Sequence, residues 1–216
     1  MRRHSRRGDK PRRVNKAQVQ TAALGLLARR EYSALELADK LRQRFRGCLW
    51  QSQDNFSEPS ISPESSEDTF EESTLDHSEC IENAIGDCLQ KLKADGYLND
   101  ERFAEAYVRS RLGRGLGQKR ILRELVEKGI QFDVAEDFVS QGVLNWSGAS
   151  DPDHMESHQL RDSERQRARD LADRKYPNFA EDAKTWGRAA RFLQRRGFDF
   201  DVIRSALGQT PRASVD

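Results

Sequence analysis

Apolar residues recur roughly every three to four positions along most of this chain, the spacing that lines one face of an α-helix. Val19, Ala23, Leu26 and Leu27 form a first stripe, and Ala34, Leu37, Ala38, Leu41 and Phe45 a second. Ile81, Ile85, Cys88, Leu89 and Leu92 follow, then Phe103, Ala104, Tyr107 and Val108, then Ile121, Leu122, Leu125 and Val126. Val134, Ala135, Phe138 and Val139 continue the series, and Phe179, Ala183, Trp186, Ala190 and Leu193 make a longer run. No window alternates apolar and polar residues as a half-buried strand would. Ser33 with Glu36 and Asp133 with Glu136 have capping-box spacing, and Asn178 with Glu181 resembles it after Pro177. The pattern predicts an all-α protein of nine short helices.

Aligning the glycines exposes a repeat. Leu92, Gly96, Tyr97 and Asp100 match Leu125, Gly129, Ile130 and Asp133, and again Leu193, Gly197, Phe198 and Asp201. Gly suits the left-handed position just past a helix, the apolar residue after it packs back, and Asp caps the next helix. The expected architecture is an elongated, curved tandem array of three three-helix, helix-turn-helix-like repeats.

The repeats divide the chain as follows. A basic arm over 1–16 precedes a first repeat over 17–95, which an acidic, Ser-rich insertion interrupts at about 49–79. A second repeat spans 96–144, a linker 145–159, a third repeat 160–208 and a tail 209–216. The arm carries eight basic residues against Asp9 alone, whereas residues 51–80 hold nine acids and no Lys or Arg. Mobility is expected over 1–15, 52–78 and 146–158, because such compositions bury too little apolar surface to fold. The whole chain is 36% hydrophobic and 34% charged, with a mean hydropathy of −0.89, consistent with a modest core diluted by polar segments.

No apolar run reaches the length of a membrane span, and no secretory cleavage pattern follows the first stripe, so a cytoplasmic protein is expected. Three cysteines without close pairing suggest no disulfide framework, and Cys88 falls on a core stripe. His154 and His158 share helical spacing but lack a third ligand, so neither a metal site nor a cofactor is expected. Gly113 to Lys119 lacks the spacing of a phosphate loop and reads as a flexible helix-to-helix turn. With no nucleophile, acid or base in a catalytic pattern, the chain is not expected to be an enzyme.

The functional signal is charge. Arg109, Arg111, Arg114, Lys119, Arg120 and Arg123 crowd one helix-turn-helix segment that contains no acid between Ala106 and Arg123. Arg120 with Glu124 and Arg123 with Glu127 are spaced to pair along a helix, whereas Arg109, Arg111, Arg114 and Lys119 have no evident partner. The segment reads as a binding face for phosphate or carboxylate groups, with Arg188, Arg191 and Arg195 as its extension.

The segment DGYLNDERFAEAYVRSRLGRGLGQKRILRELVEKGI, ending at Ile130, resembles the central part of the RecX family of recombination regulators. ALGLLARREYSALELADKL upstream and FLQRRGFDFDVIRSAL downstream resemble its first and last repeats. The resemblance implies a non-catalytic cytoplasmic monomer that binds the RecA recombinase filament on single-stranded DNA. It implies modulation, chiefly inhibition, of ATP hydrolysis, filament growth and strand exchange. The long acidic insertion and the basic arm depart from the family pattern. A direct, sequence-independent DNA-binding helical protein is the alternative reading.

Overall fold

The computed structural model describes residues 12–51, 77–146 and 157–211. Most of the arm, most of the acidic insertion and most of the linker lie outside the described residues, and with them most of the expected mobile positions. The described residues form nine helices and one two-stranded pairing, in two compact units, Met1–Asn99 and Asp100–Asp216.

The first unit contains α1 (Lys16–Leu27), α2 (Ala34–Phe45) and α3 (His77–Ala94). Asn15 starts α1 with a reciprocal cap in which Gln18 N donates to Asn15 Oδ1 and Asn15 N to Gln18 Oε1. Ser33 starts α2, its hydroxyl accepting from Glu36 N at 3.1 Å. Leu37, Leu41, Phe45, Ile85, Cys88 and Leu92 pack together with Val19 in one core. Removing such side chains from water is the main stabilising term of a helical unit this small.

Two expectations are corrected in this unit. Arg13–Val14 (β1) pairs in parallel with Leu49–Trp50 (β2), through Leu49 N to Arg12 O and Gln51 N to Val14 O. Val14 is buried, so the end of the arm and the start of the insertion are ordered by an apolar anchor amid charged residues. At Gly96 (φ +73°) the next residue, Tyr97, stays exposed, and Leu98 packs back instead, its N–H donating to Leu92 O. The helix-ending loop is one residue longer than in the other two copies.

The second unit runs α4 (Asp100–Gly113), α5 (Gln118–Glu127), α6 (Phe132–Trp146), α7 (Ser157–Lys175), α8 (Ala183–Arg196) and α9 (Phe200–Leu207). Phe103, Val108, Ile121, Leu125, Val139 and Val143 make one core, and Phe179, Phe192, Leu193, Phe198 and Ile203 another. Gly129 (φ +84°) and Gly197 (φ +88°) sit as expected: Ile130 N donates to Leu125 O and Phe198 N to Leu193 O, closing the preceding helices.

The predicted caps are displaced. Asp100 is the first residue of α4, and Asp133 and Asp201 lie one residue inside α6 and α9, because so few residues separate each glycine from the next helix. There they still favour the positive end of the helix dipole. Asp182, not Asn178, caps α8, accepting from Lys184 N and Thr185 N, and Phe179 lies in the turn before it. Helix α7 had no apolar stripe to announce it, because its buried face is Ala168, Ala172, Glu164 and Arg167.

Candidate functional site

The turn between α4 and α5 ends α4 with Gly115 at φ +73°, where Leu116 N donates to Arg111 O. Residues of α7 and α8 hydrogen-bond to it. Arg196 Nη1 donates to the carbonyls of Arg114 and Gly115, and Arg167 Nη2 to that of Leu116 at 2.9 Å. Gly117 N donates to Arg196 O, and a Cβ on Gly117 would stand 2.5 Å from the backbone of Gly197. Two glycines therefore let the start of α5 and the end of α8 touch backbone to backbone.

Helix α5 has no side-chain cap of its own. Glu164 of α7 supplies the missing acceptor, its Oε1 taking Gln118 N at 2.9 Å. Burial pushes the Glu164 carboxyl above its ordinary value, against the pull of that hydrogen bond and of the Arg167 charge. Arg167 is buried as well, and its pKa falls for the same reason. Glu164, Arg167 and Arg196 were invisible to sequence reasoning as parts of this turn. Their only signal was charge on helices otherwise rich in charge.

The structure places the six predicted cations on this frame unequally. Arg111 Nε stands 2.9 Å from Glu124 Oε2 but off the line of a hydrogen bond, and its Nη2 donates to Tyr107 Oη at 2.7 Å. Tyr107 in turn donates to Glu124 at 2.8 Å, and Arg120 Nε donates to the other oxygen of Glu124 at 2.9 Å. Burial alone would raise the Glu124 pKa, but hydrogen bonds from Arg120 and Tyr107 and the Arg111 charge hold it below the usual glutamate value. Lys119 pairs with Asp199 at 2.8 Å, and Arg109 pairs with Glu105 one turn back on α4. Only Arg114 and Arg123 are exposed without an ion pair among the described residues. The expectation that Arg109, Arg111 and Lys119 stand partnerless is thus corrected, and the expected Arg123–Glu127 pair is not formed.

The extension is the reverse case. Arg188, Arg191 and Arg195 are all exposed, make no ion pair among the described residues, and share one face of α8, which contains no acid. At three- and four-residue spacing they fall within an arc of about 60°. Arg120 Nη1 donates to Arg195 O at 3.1 Å, so the start of α5 and the end of this stripe are brought together. Among the described residues no group of His, Cys, Asp and Glu could hold a metal, and no helix is long and apolar enough to cross a membrane.

Comparison with known proteins agrees with this architecture. Residues 99–138 match the family description "RecX, second three-helix domain" and residues 162–207 match "RecX, third three-helix domain". A regulatory protein RecX of Legionella pneumophila (strain Corby) is 34% identical over 182 residues, 84% of this chain and 87% of the relative. One of Halorhodospira halophila is 29% identical over 189 residues, 87% of this chain and 85% of the relative. A crystal structure of RecX from Lactobacillus salivarius, 20% identical, superposes with a TM-score of 0.56 over 89% of this chain and 94% of that one.

Proposed function

The chain belongs to the RecX family of regulatory proteins, and from that premise we propose that it binds the RecA recombinase filament on single-stranded DNA in the cytoplasm and restrains it. Binding as a monomer slows ATP hydrolysis, filament growth and strand exchange. The observation that carries this reading is the stripe of Arg188, Arg191 and Arg195, exposed and without an ion pair among the described residues, which meets the start of α5 where Arg120 donates to Arg195 O. Arg114 and Arg123 add two more such cations in the α4–α5 segment. Guanidinium groups in a row on one helix face suit a filament groove lined by phosphates and carboxylates. Arg109, Arg111, Lys119 and Arg120 of the same α4–α5 segment have their charge largely answered by Glu105, Glu124 and Asp199.

The test is co-sedimentation with recombinase filaments and inhibition of their ATPase. Arg188→Ala with Arg191→Ala and Arg195→Ala is expected to weaken filament binding by on the order of tenfold or more at moderate salt, with unchanged helicity. Binding and inhibition equal to the parent chain would place the contact elsewhere. The acid-free α8 also suits direct, sequence-independent DNA binding. Equal affinity for bare DNA and for filaments would favour that second reading.

A further inference from the structure

In the first unit, α1 exposes one face that the unit's own core leaves uncovered. Only Val19 and Ala23 of this helix are buried. The uncovered face borders an open groove of about 450 Å³ whose floor includes Ala17, Ala22 and Gly25. Three arginines line it, Arg12 just before β1, Arg29 just past the end of α1 and Arg44 on α2, and among the described residues no acid does. All three are exposed, and none makes an ion pair among the described residues. Nearby cations of the same unit are paired by contrast, Lys16 with Asp87, Arg30 with Glu36 and Arg42 with Glu82.

We propose that this groove is a second, separate binding site for the sugar-phosphate backbone of a nucleic-acid strand. Its chemistry selects that ligand class. At the start of α1 the Asn15–Gln18 cap already takes the N–H groups of Asn15 and Gln18, which leaves an incomplete backbone cradle for an isolated phosphate. The charges are spread along the groove instead, as a repeating polyanion requires. A protein partner would ask for an exposed apolar or aromatic anchor, whereas Phe45 at this groove is buried in the unit's core, Leu26 packs against that core, and the exposed lining is small or polar. Interfaces with nucleic acid are the ones rich in unpaired positive charge.

Gly25 permits a clean test, because a Cβ there meets nothing within 4 Å. Gly25→Glu sets a carboxylate in the groove, and Gly25→Gln sets the same shape without charge. Both residues form helix better than Gly, so neither variant is expected to unfold α1. Anisotropy of a fluorescein-labelled oligo-dT strand, without recombinase, reads the affinity of the full chain. Gly25→Glu is expected to lose about tenfold, and Gly25→Gln to stay within about twofold. Arg12→Ala with Arg29→Ala and Arg44→Ala should flatten the log–log salt dependence by about two, because fewer counterions are released. The same losses should appear when Arg188, Arg191 and Arg195 are already alanine, which separates this groove from the proposed filament face. Equal affinity of Gly25→Glu and the parent chain overturns the site. Capture of polyglutamate with no binding of the oligonucleotide overturns the ligand class.

Discussion

Two cation-rich regions of the second unit, α4–α5 and α8, look alike in sequence and differ in what their charges do. Around α4 and α5, acids from the same helix and from distant ones answer most of the cations: Glu105 takes Arg109, Glu124 takes Arg111 and Arg120, and Asp199 takes Lys119. On α8, among the described residues, no acid answers Arg188, Arg191 or Arg195. Density of charge in the sequence therefore does not measure the charge on offer to a partner. A cation becomes available only when the fold brings no carboxylate to it, and paired surface cations carry a smaller share of the field.

The strongest way to break this comparison is to separate the two regions where they meet. Gly197→Val adds a β-branched side chain at φ +88°, where its Cβ would collide with Arg120. A loss on the order of 3 kcal/mol is expected in thermal or urea unfolding, from left-handed strain together with overpacking. Gly129→Val, at φ +84°, bears the backbone strain and should cost about 1–2 kcal/mol. If Gly197→Val costs no more than Gly129→Val, the backbone crossing of α5 and α8 is not as described.

Glu124→Gln sharpens the comparison by making α5 resemble α8. It removes the shared partner of Arg111 and Arg120, so about 1 kcal/mol of stability should be lost while filament affinity rises about two- to threefold at low salt. The pH dependence has a definite sign. The Glu124 pKa is depressed in the folded chain, so its contribution is present above the ordinary glutamate value and is lost as pH falls through the folded one. The parent chain should lose stability on acidification in that window, and Glu124→Gln should lose less. An unchanged acid limb in the variant would show that the Tyr107–Arg111–Glu124 cluster is not formed.

Glu164 has the opposite sign and a smaller effect. Its pKa is raised by burial, so the folded chain holds a proton that the unfolded chain has released, and stability declines as pH rises from the ordinary glutamate value through the folded one. Glu164→Gln keeps an oxygen for Gln118 N and should flatten that decline, seen as a melting midpoint that varies less with pH. A steeper decline would mean that the carboxylate is ionised and paired with Arg167. Smallest of all is Arg109→Ala. It breaks an exposed pair on α4 and should change stability by within about 0.5 kcal/mol, with filament binding nearly intact.

The helical class, the three glycine turns and most of the core could be read from the sequence, because each depends on residues close together along the chain. Gly96, Gly129 and Gly197 take positive φ since only glycine does so without strain, and Leu37, Ile85, Leu125 and Leu193 are buried because helical periodicity puts them on one face. Helix α7 could not be read this way, since its inward face is small or charged. Nor could the first aspartates be placed correctly, because a shift of one or two residues in helix start leaves the local pattern unchanged. Tertiary structure alone decided which arginines meet a carboxylate among the described residues. Asp199 reaches Lys119 and Arg196 reaches Arg114 O across about eighty positions of chain, and Glu164 reaches the start of α5 across forty-six. Electrostatic pairing depends on distance in space, which local periodicity does not encode.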